Sequence, residues 1–114
     1  MGSTKKEQYS LTQLRYASIA KAIGHPARVA IIRHLAEMGM SNNYSFMAVT
    51  QLAEATVCQH LKELLGAGLI GETFLGNTHC YFLTPEATDD IALLKSVVIA
   101  KINRKRTSMK KRNA

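Results

Sequence analysis

The sequence has little of what marks secreted, membrane-spanning or zinc-binding domains. Its two cysteines, Cys58 and Cys80, stand far apart and lack the C-x-x-C spacing of a zinc module, and two cysteines are too few for a disulfide framework. Aliphatic runs such as Val97–Ala100 are far shorter than the roughly 18 residues of a membrane span. The start, Met1–Ser10, is polar and unlike a signal sequence. We therefore predict a cytoplasmic protein with no membrane partner.

The last fourteen residues contain no acidic side chain, and they carry the whole net charge. Residues 1–100 hold eight basic and eight acidic groups, whereas 101–114 hold seven basic groups, which give the chain its formal charge of +7. Such a tail is typical of a polyanion-binding end and equally of a solvated, disordered one. We predict a polar segment over 1–10, one folded domain over 11–103, and a basic, disordered tail over 104–114.

The signatures of an enzyme are also missing. The sequence contains no Gly-rich phosphate loop, no carboxylate dyad and no cofactor motif. A cysteine nucleophile with a histidine base is the remaining possibility, but Cys58 and His60 are two residues apart, about 200° around a helix, and cannot pair directly. We predict that the protein is not an enzyme and binds no cofactor.

The most informative stretch that is present is Glu54–Leu69. On a helix, Val57, Leu61 and the leucine pair at 64 and 65 form one apolar stripe, and the opposite side carries small or weakly charged side chains, which are Ala55, Cys58, Gln59 and Lys62. Such side chains suit base edges in a major groove, although an ordinary amphipathic core helix has the same pattern. The segment before it predicts a short helix, Tyr44–Thr50, so the two helices form a helix-turn-helix or an αα-corner without further meaning.

The remaining elements follow from local patterns. Apolar periodicity predicts helices over Leu11–Ile23 and from Pro26 to Gly39, and Ser41-Asn42-Asn43 is a turn or cap cluster. Strands Ile70–Leu75 and His79–Leu83 flank the loop Gly76-Asn77-Thr78, and a last helix opens after Thr84. The fold class is α+β, mainly α, with the helix, helix, helix-turn-helix, β-ribbon, helix order of a winged helix. His25 and His34 have no neighbouring ligand set, so we predict structural roles for both.

Several stretches resemble the ArsR/SmtB-type winged-helix repressors. They are G-H-P-A-R-V-A-I-I-R-H-L at 24–35, L-A-E-A-T-V-C-Q-H-L-K-E-L at 52–64, G-A-G-L-I at 66–70 and Y-F-L-T-P at 81–85. Members of that family are homodimers that bind imperfect palindromes in double-stranded DNA and leave it when an inducer, often a metal ion, binds. The resemblance implies that Glu54–Leu65 is the recognition helix, that Asn77-Thr78-His79 tips the wing, and that the first and last helices build the dimer.

This sequence departs from the family at its two metal sites. The helix before the turn reads Y-S-F-M-A-V-T without cysteine, and Pro85–Lys101 contains Asp89 and Asp90 but no histidine. Isolated carboxylates are poor ligands for zinc or softer metals, so we predict no metal, and the inducer is unknown. Cys58 stands where serine is usual, and Glu54 where a neutral amide is common. Cys58 is either a small side chain in place of serine or the thiol of an oxidant switch.

The predicted interface residues fall into two sets. Those for DNA binding are Ala55, Thr56, Cys58, Gln59, His60, Lys62, Asn77 and Thr78. Those for the dimer interface are Leu14, Ile91, Leu94, Val98 and Ile102. His60 lies at the edge of the apolar stripe, where it is either hydrogen-bonded and half-buried or in contact with a phosphate. The function predicted is a homodimeric, sequence-specific repressor, and the alternative is a winged helix that contacts only proteins.

Overall fold

The computed structural model describes residues 8–95, which form five helices and a three-stranded antiparallel sheet. The elements in order are α1 (Leu11–Ile23), α2 (Pro26–Met38), β1 (Ser41–Asn42), α3 (Asn43–Thr50), α4 (Glu54–Gly66), β2 (Ile70–Leu75) and β3 (Thr78–Leu83). A fifth helix, α5, begins at residue 85 and is described through residue 95. The predicted winged helix-turn-helix, mainly helical and of the α+β class, is confirmed. Val98, Ile102 and the predicted tail lie outside the described residues.

Local hydrogen bonds explain where the first two helices begin and end. Ser10 and Gln13 form a reciprocal capping box at the start of α1. His25 caps α2, because its Nδ1 accepts the Ala27 N–H at 3.0 Å, and Pro26 occupies the first turn. His34 lies within 2.9 Å of the Ser41 hydroxyl and edge-on to Phe46. Both histidines therefore have the structural roles predicted for them.

The segment before α3 differs from the prediction. Asn42 is the expected cap, since its Oδ1 accepts the Ser45 N–H at 3.2 Å. However, Ser41 and Asn42 are also β1, which pairs antiparallel with Tyr81 and Cys80 of β3. Two residues are too short to show an alternating pattern, and their strand partner is remote in sequence, so local signals predict only the turn.

The β-ribbon also differs slightly from the prediction. Thr78 belongs to β3 and pairs with Leu75, so the loop contains only Gly76 and Asn77. Gly76 has φ of +60°, the conformation that the first position of a two-residue type II′ turn requires. The predicted β-ribbon is therefore confirmed, and its loop is one residue shorter than predicted.

The core lies between α4, the other helices and one face of the sheet. The α4 residues Val57, Leu61 and Leu64 are fully buried, as predicted, and Leu65 packs half-buried against the same cluster. The other large residues of this cluster are Ile19, Ile31, Leu35, Phe46, Leu69, Ile70 and Tyr81. Burial of α4 on this side fixes which of its faces remains in solvent.

One arginine ties three helices together. The Arg15 guanidinium on α1 donates from Nη1 to the Ala67 carbonyl at the end of α4, at 2.6 Å, and from Nε to Asp90 Oδ2 on α5, at 3.1 Å. Thr84 fixes the start of α5, because its hydroxyl accepts the Ala87 N–H and donates to the Gly68 carbonyl. The end of α4 and the start of α5 are thus held on α1.

Candidate nucleic-acid interface

The face of α4 opposite the core is exposed. Ala55, Thr56, Gln59 and Lys62 are all in solvent, and Gln59 lies three or four residues from each of the others, which places them on one side of the helix. Glu54 and Glu63 flank this stripe and are also exposed. The stripe therefore offers a methyl group, a hydroxyl, an amide and an ammonium between two carboxylates.

The start of α4 is open. Ala53 is the N-cap residue and provides no side-chain hydrogen bond to the first turn, within the part of the chain that the structure describes. The free N–H groups of a helix start carry a partial positive charge that favours an anion. Here they lie beside Ala55 and Thr56, at the same end of the exposed stripe.

Cys58 differs from its predicted neighbours on the stripe. It is half-buried, and the Asn43 amide of α3 lies 3.8 Å from its Sγ. The Asn43 Oδ1 is buried without a hydrogen-bond partner among residues 8–95. Cys58 thus faces α3 more than the open groove, which favours the packed serine-like side chain over a thiol that touches DNA.

His60 is buried, at 9% exposure, and belongs to a junction of three helices. Its Nδ1 accepts a hydrogen bond from Arg28 Nε at 3.0 Å, Arg28 also donates to the Ala22 carbonyl, and the His25 ring lies 4.4 Å from the His60 ring. Burial, followed by the charges of His25 and Arg28, lowers the pKa of His60 below 6.5. His60 therefore links α4 to α1 and α2, which agrees with the hydrogen-bonded alternative predicted for it, and its role in DNA binding stays a prediction.

A second lysine, which sequence analysis did not single out, lies next to the stripe. Lys21, in the last turn of α1, lines a shallow groove together with Lys62, and Ser18 and Glu63 complete its polar lining. Periodicity within each helix could not show this proximity, because it depends on how α1 packs against α4. The groove extends the positive potential of Lys62 along the side of the domain.

The wing tip is exposed, and it lacks basic residues. Asn77 and Thr78 are in solvent, as a contact role requires, and so are the large apolar side chains Phe74 and Leu75. From Ile70 to Leu83 the sequence contains no lysine or arginine. The Glu72 carboxylate on β2 lies 2.7 Å from the ring nitrogen Nε2 of His79 on β3.

The described residues offer no obvious metal centre. Across residues 8–95, no three His, Cys, Asp or Glu side chains come together in a way that could hold a metal ion. Cys80 is buried in the sheet, with its Sγ 3.7 Å from the Thr78 carbonyl, and is a small packed side chain. No helix in this part of the chain is long and apolar enough to cross a membrane.

Comparisons with known proteins identify the class. Residues 25–71 match the sequence profile of the bacterial regulatory protein, arsR family. The fold is similar to that of HlyU from Vibrio cholerae, with a TM-score of 0.66 and 21% identity over 78% of this chain and 97% of that chain. The transcriptional repressor PagR of Bacillus anthracis has a TM-score of 0.62 and 25% identity over 74% of this chain and 97% of that one.

A third similar structure is the homodimeric winged helix-turn-helix DNA-binding domain of Mb0332 from Mycobacterium bovis, with a TM-score of 0.67 and 19% identity over 90% of this chain and 94% of that chain. The comparison with curated proteins found no match. Together, these findings show that the domain has the winged helix-turn-helix fold. The profile match covers residues 25–71, which is less than half of the chain, and over that segment it confirms the resemblance predicted from the motifs.

Proposed function

We propose that the protein is a homodimeric repressor that binds a palindromic operator and is released by an inducer still to be identified. The observation that carries this proposal is the division of α4 into a fully buried apolar stripe and an exposed stripe of Ala55, Thr56, Gln59 and Lys62. A helix of this kind fits a major groove, where its outer side chains reach base edges.

Each side chain of the stripe has a role that its chemistry supports. The Gln59 amide can donate to and accept from an adenine edge, the Ala55 methyl can contact a thymine methyl, and Lys62 can donate to guanine or to a phosphate. Thr56, beside the open start of α4, suits a phosphate or a base edge. On the wing, Asn77 and Thr78 are the proposed polar contacts.

The proposed dimer rests on apolar surface that the domain leaves exposed. Leu11 on α1 is 85% exposed and Leu93 on α5 is 53% exposed. Leu11 lies one helical turn before Arg15, and Leu93 lies one helical turn after Asp90. Because Arg15 and Asp90 form an ion pair between α1 and α5, the two leucines lie next to the contact between these helices. Ile91 and Leu94 are half-buried because they pack against the core of their own domain. We therefore place the centre of the proposed dimer interface at the more exposed leucines, Leu11 and Leu93.

The test is selection of DNA fragments from the source genome, followed by affinity measurements on a bound fragment. Gln59→Ala should weaken specific binding by about tenfold or more, since one good base contact contributes about 1–3 kcal/mol of discrimination. Lys62→Ala should flatten the slope of log affinity against log salt by about 0.9 per protomer if it neutralises a phosphate.

The matched control is Lys95→Ala, which removes the same charge from the exposed surface of another helix, α5. It should leave affinity and slope near those of the wild type. If Gln59→Ala and Lys62→Ala bind as the control does, α4 is not the reading element. If the wild type retains no specific fragment, the alternative of a protein-contact module is favoured.

A further inference from the structure

The arginines of the described domain are held by partners, whereas its lysines are not. Residues 8–95 contain six lysine and arginine side chains and seven acidic ones, so this part of the chain has no excess of positive charge. Each arginine is engaged by another side chain, in the pairs Arg15–Asp90, Arg28–His60 and Arg33–Glu37. Lys21, Lys62 and Lys95 form no ion pair with an acidic side chain of residues 8–95. These three ammonium groups are therefore the charges that this domain offers to an anion.

Two of the three lysines line the same groove. It lies between the last turn of α1 and the C-terminal half of α4, and its volume is about 370 Å³. Lys21 and Ser18 line it from α1, and Lys62, Glu63 and Gly66 line it from α4. A Cβ added at Gly66 would meet no atom within 4 Å, so the groove is open along the backbone of α4. The groove thus brings two ammonium groups and a hydroxyl together against one carboxylate.

The groove is in line with the side chains proposed to contact bases. Lys62 and Glu63 follow Gln59 by three and four residues, so they lie on the same side of α4. Arg15 binds the Ala67 carbonyl at the end of α4, whereas Lys21, further along α1, lies beside Lys62. The two helices are therefore antiparallel here, and the last turn of α1 points toward the base-reading half of α4.

The main chain beside Lys21 is fixed to α4. The carbonyl of the next residue, Ala22, accepts a hydrogen bond from Arg28 Nη1 at 3.2 Å, and Arg28 Nε donates to His60 at 3.0 Å. A side chain that starts from an ordered backbone loses less entropy on binding than one on a free segment. Leu11, at the centre of the proposed dimer interface, precedes Lys21 by ten residues, about 15 Å along the helix. One helix can therefore serve the dimer at its start and an anion at its end.

A phosphate group of the DNA backbone fits this groove. A helix whose first turns contact base edges has its later turns near the wall of the major groove, which is about 12 Å wide and bordered by phosphates. Lys21 and Ser18 can both donate to a phosphate oxygen there, beside the contact made by Lys62. A free anion would lose its translational freedom on entering a groove that Glu63 leaves only weakly positive, whereas a phosphate of DNA already bound by α4 loses none separately.

We propose that Lys21 binds a backbone phosphate at the edge of the major groove in each half-site, so that α1 takes part in operator binding. This inference rests on the proposed operator function. It adds a residue that lies outside the helix-turn-helix, outside the wing and outside the matched residues 25–71. Because a phosphate carries no base identity, the contact should strengthen binding to every DNA sequence.

The experiment compares Lys21→Met, Lys21→Arg and Lys95→Met on a selected operator and on an unrelated duplex. Methionine keeps most of the length of the lysine side chain and removes its charge, whereas arginine keeps the charge. Lys95→Met is the matched control, because it removes the third unpaired charge from the exposed surface of α5. Affinity is measured at several salt concentrations, and thermal unfolding and sedimentation verify that each variant has the fold and assembly of the wild type.

Lys21→Met should flatten the slope of log affinity against log salt by about 0.9 per protomer, which corresponds to about fivefold weaker binding per protomer at about 0.15 M salt. The operator and the unrelated duplex should lose affinity by the same factor. Lys21→Arg should keep the wild-type slope, and Lys95→Met should bind both duplexes as the wild type does.

Neutral methylphosphonate linkages, introduced one at a time into the operator, locate the phosphate. One linkage in each half-site should weaken binding of the wild type by about fivefold and leave binding of Lys21→Met unchanged, because that variant has already lost the charge that faces it. If every linkage affects the two proteins equally, Lys21 contacts no phosphate and the proposal is wrong.

Two further outcomes would overturn the proposal. Lys21→Met may not differ from Lys95→Met in slope if α1 is to take part, so equal slopes refute the contact. If inorganic phosphate at constant ionic strength releases the wild type from DNA but not Lys21→Met, the groove holds a free anion instead of the backbone. Failure of the wild type to select any fragment refutes the operator function itself, whereas specific selection with an inert Lys21 refutes only the contact from α1.

Discussion

At the scale of single residues, the His60 junction is the feature with the clearest energetic consequence. A neutral His60 ring accepts the Arg28 hydrogen bond while buried beside the His25 ring. Protonation would remove that acceptor and place a positive charge beside the Arg28 guanidinium, away from solvent. Since a buried donor left without its acceptor costs about 1–3 kcal/mol, the junction is stable only with His60 neutral.

We therefore predict that acid destabilises the fold through His60. Its pKa in the folded protein is lowered from 6.5, mainly by burial and then by His25 and Arg28, so the folded state binds fewer protons than the unfolded chain. This contribution to the free energy of unfolding is fully present above about pH 6.5, and it falls as the pH drops from there toward the lowered pKa. Urea unfolding at a series of pH values measures it.

His60→Asn is the informative variant, because its amide can still accept the Arg28 hydrogen bond and cannot titrate. It should show a smaller loss of the free energy of unfolding than the wild type across this pH window. Equal slopes for the wild type and His60→Asn would contradict the assignment.

At the scale of elements, the turn between α3 and α4 depends on one left-handed residue. Gln51 ends α3 with φ of 58° and ψ of 33°, and its N–H still donates to the Met47 carbonyl. Left-handed backbone costs an L-residue about 1–2 kcal/mol, and a β-branched side chain more. The orientation of α4 relative to α3 is set at this residue.

We predict that Gln51→Val lowers the free energy of unfolding by about 1–2 kcal/mol, whereas Gln51→Gly changes it by less than about 0.5 kcal/mol. Glycine relieves the backbone strain, but it also gives the unfolded chain more freedom. The control, Gln59→Val, makes the same side-chain change at an exposed position within α4 and should cost about 0.5 kcal/mol through helix propensity. Urea titration of the three variants in the absence of DNA measures these changes in the free energy of unfolding. If Gln51→Val lowers it no more than Gln59→Val does, the backbone at residue 51 is not strained.

The elements also show what sequence could predict. The buried stripe of α4 and both strands of the wing follow from periodicity, which local burial imposes on every helix and strand. Strand β1, the Lys21–Lys62 groove and the Arg28–His60 bond depend on residues far apart in sequence, and nothing in their local patterns specifies the partner. The sequence therefore predicts the candidate site as one face of α4. The contacts of Cys58 with α3 and of His60 with Arg28 become visible only in the folded structure, because the partners lie on other helices.

At the scale of the whole molecule, the exposed leucines of α1 and α5 predict a dimer. The wild type should sediment at about twice the chain mass of 12.6 kDa. Leu93→Asp should shift it to monomers and weaken operator binding, because a charge would be buried in the interface. Met38→Asp, at a similarly exposed apolar position elsewhere, should remain dimeric.

A two-fold dimer also predicts the arrangement of the half-sites in the DNA. Footprints should show inverted half-sites about one helical turn, or 34–36 Å, apart. A tandem footprint, or a Leu93→Asp variant that stays dimeric, would contradict the arrangement of α1 and α5 proposed for the interface.

The Arg15 hydrogen bond holds α4 at its C-terminal end. The α4 helix has 13 residues and, at about 1.5 Å per residue, is about 20 Å long. Arg15 binds the Ala67 carbonyl at one end of it. A rotation of α4 by about 5° about that contact moves its opposite end, where Ala55 and Thr56 lie, by about 1.7 Å, which exceeds the width of the hydrogen-bond distance range of 2.7–3.2 Å. An inducer that binds where Arg15 meets Asp90 would therefore act on α4 through its C-terminal end, about 20 Å from Ala55 and Thr56.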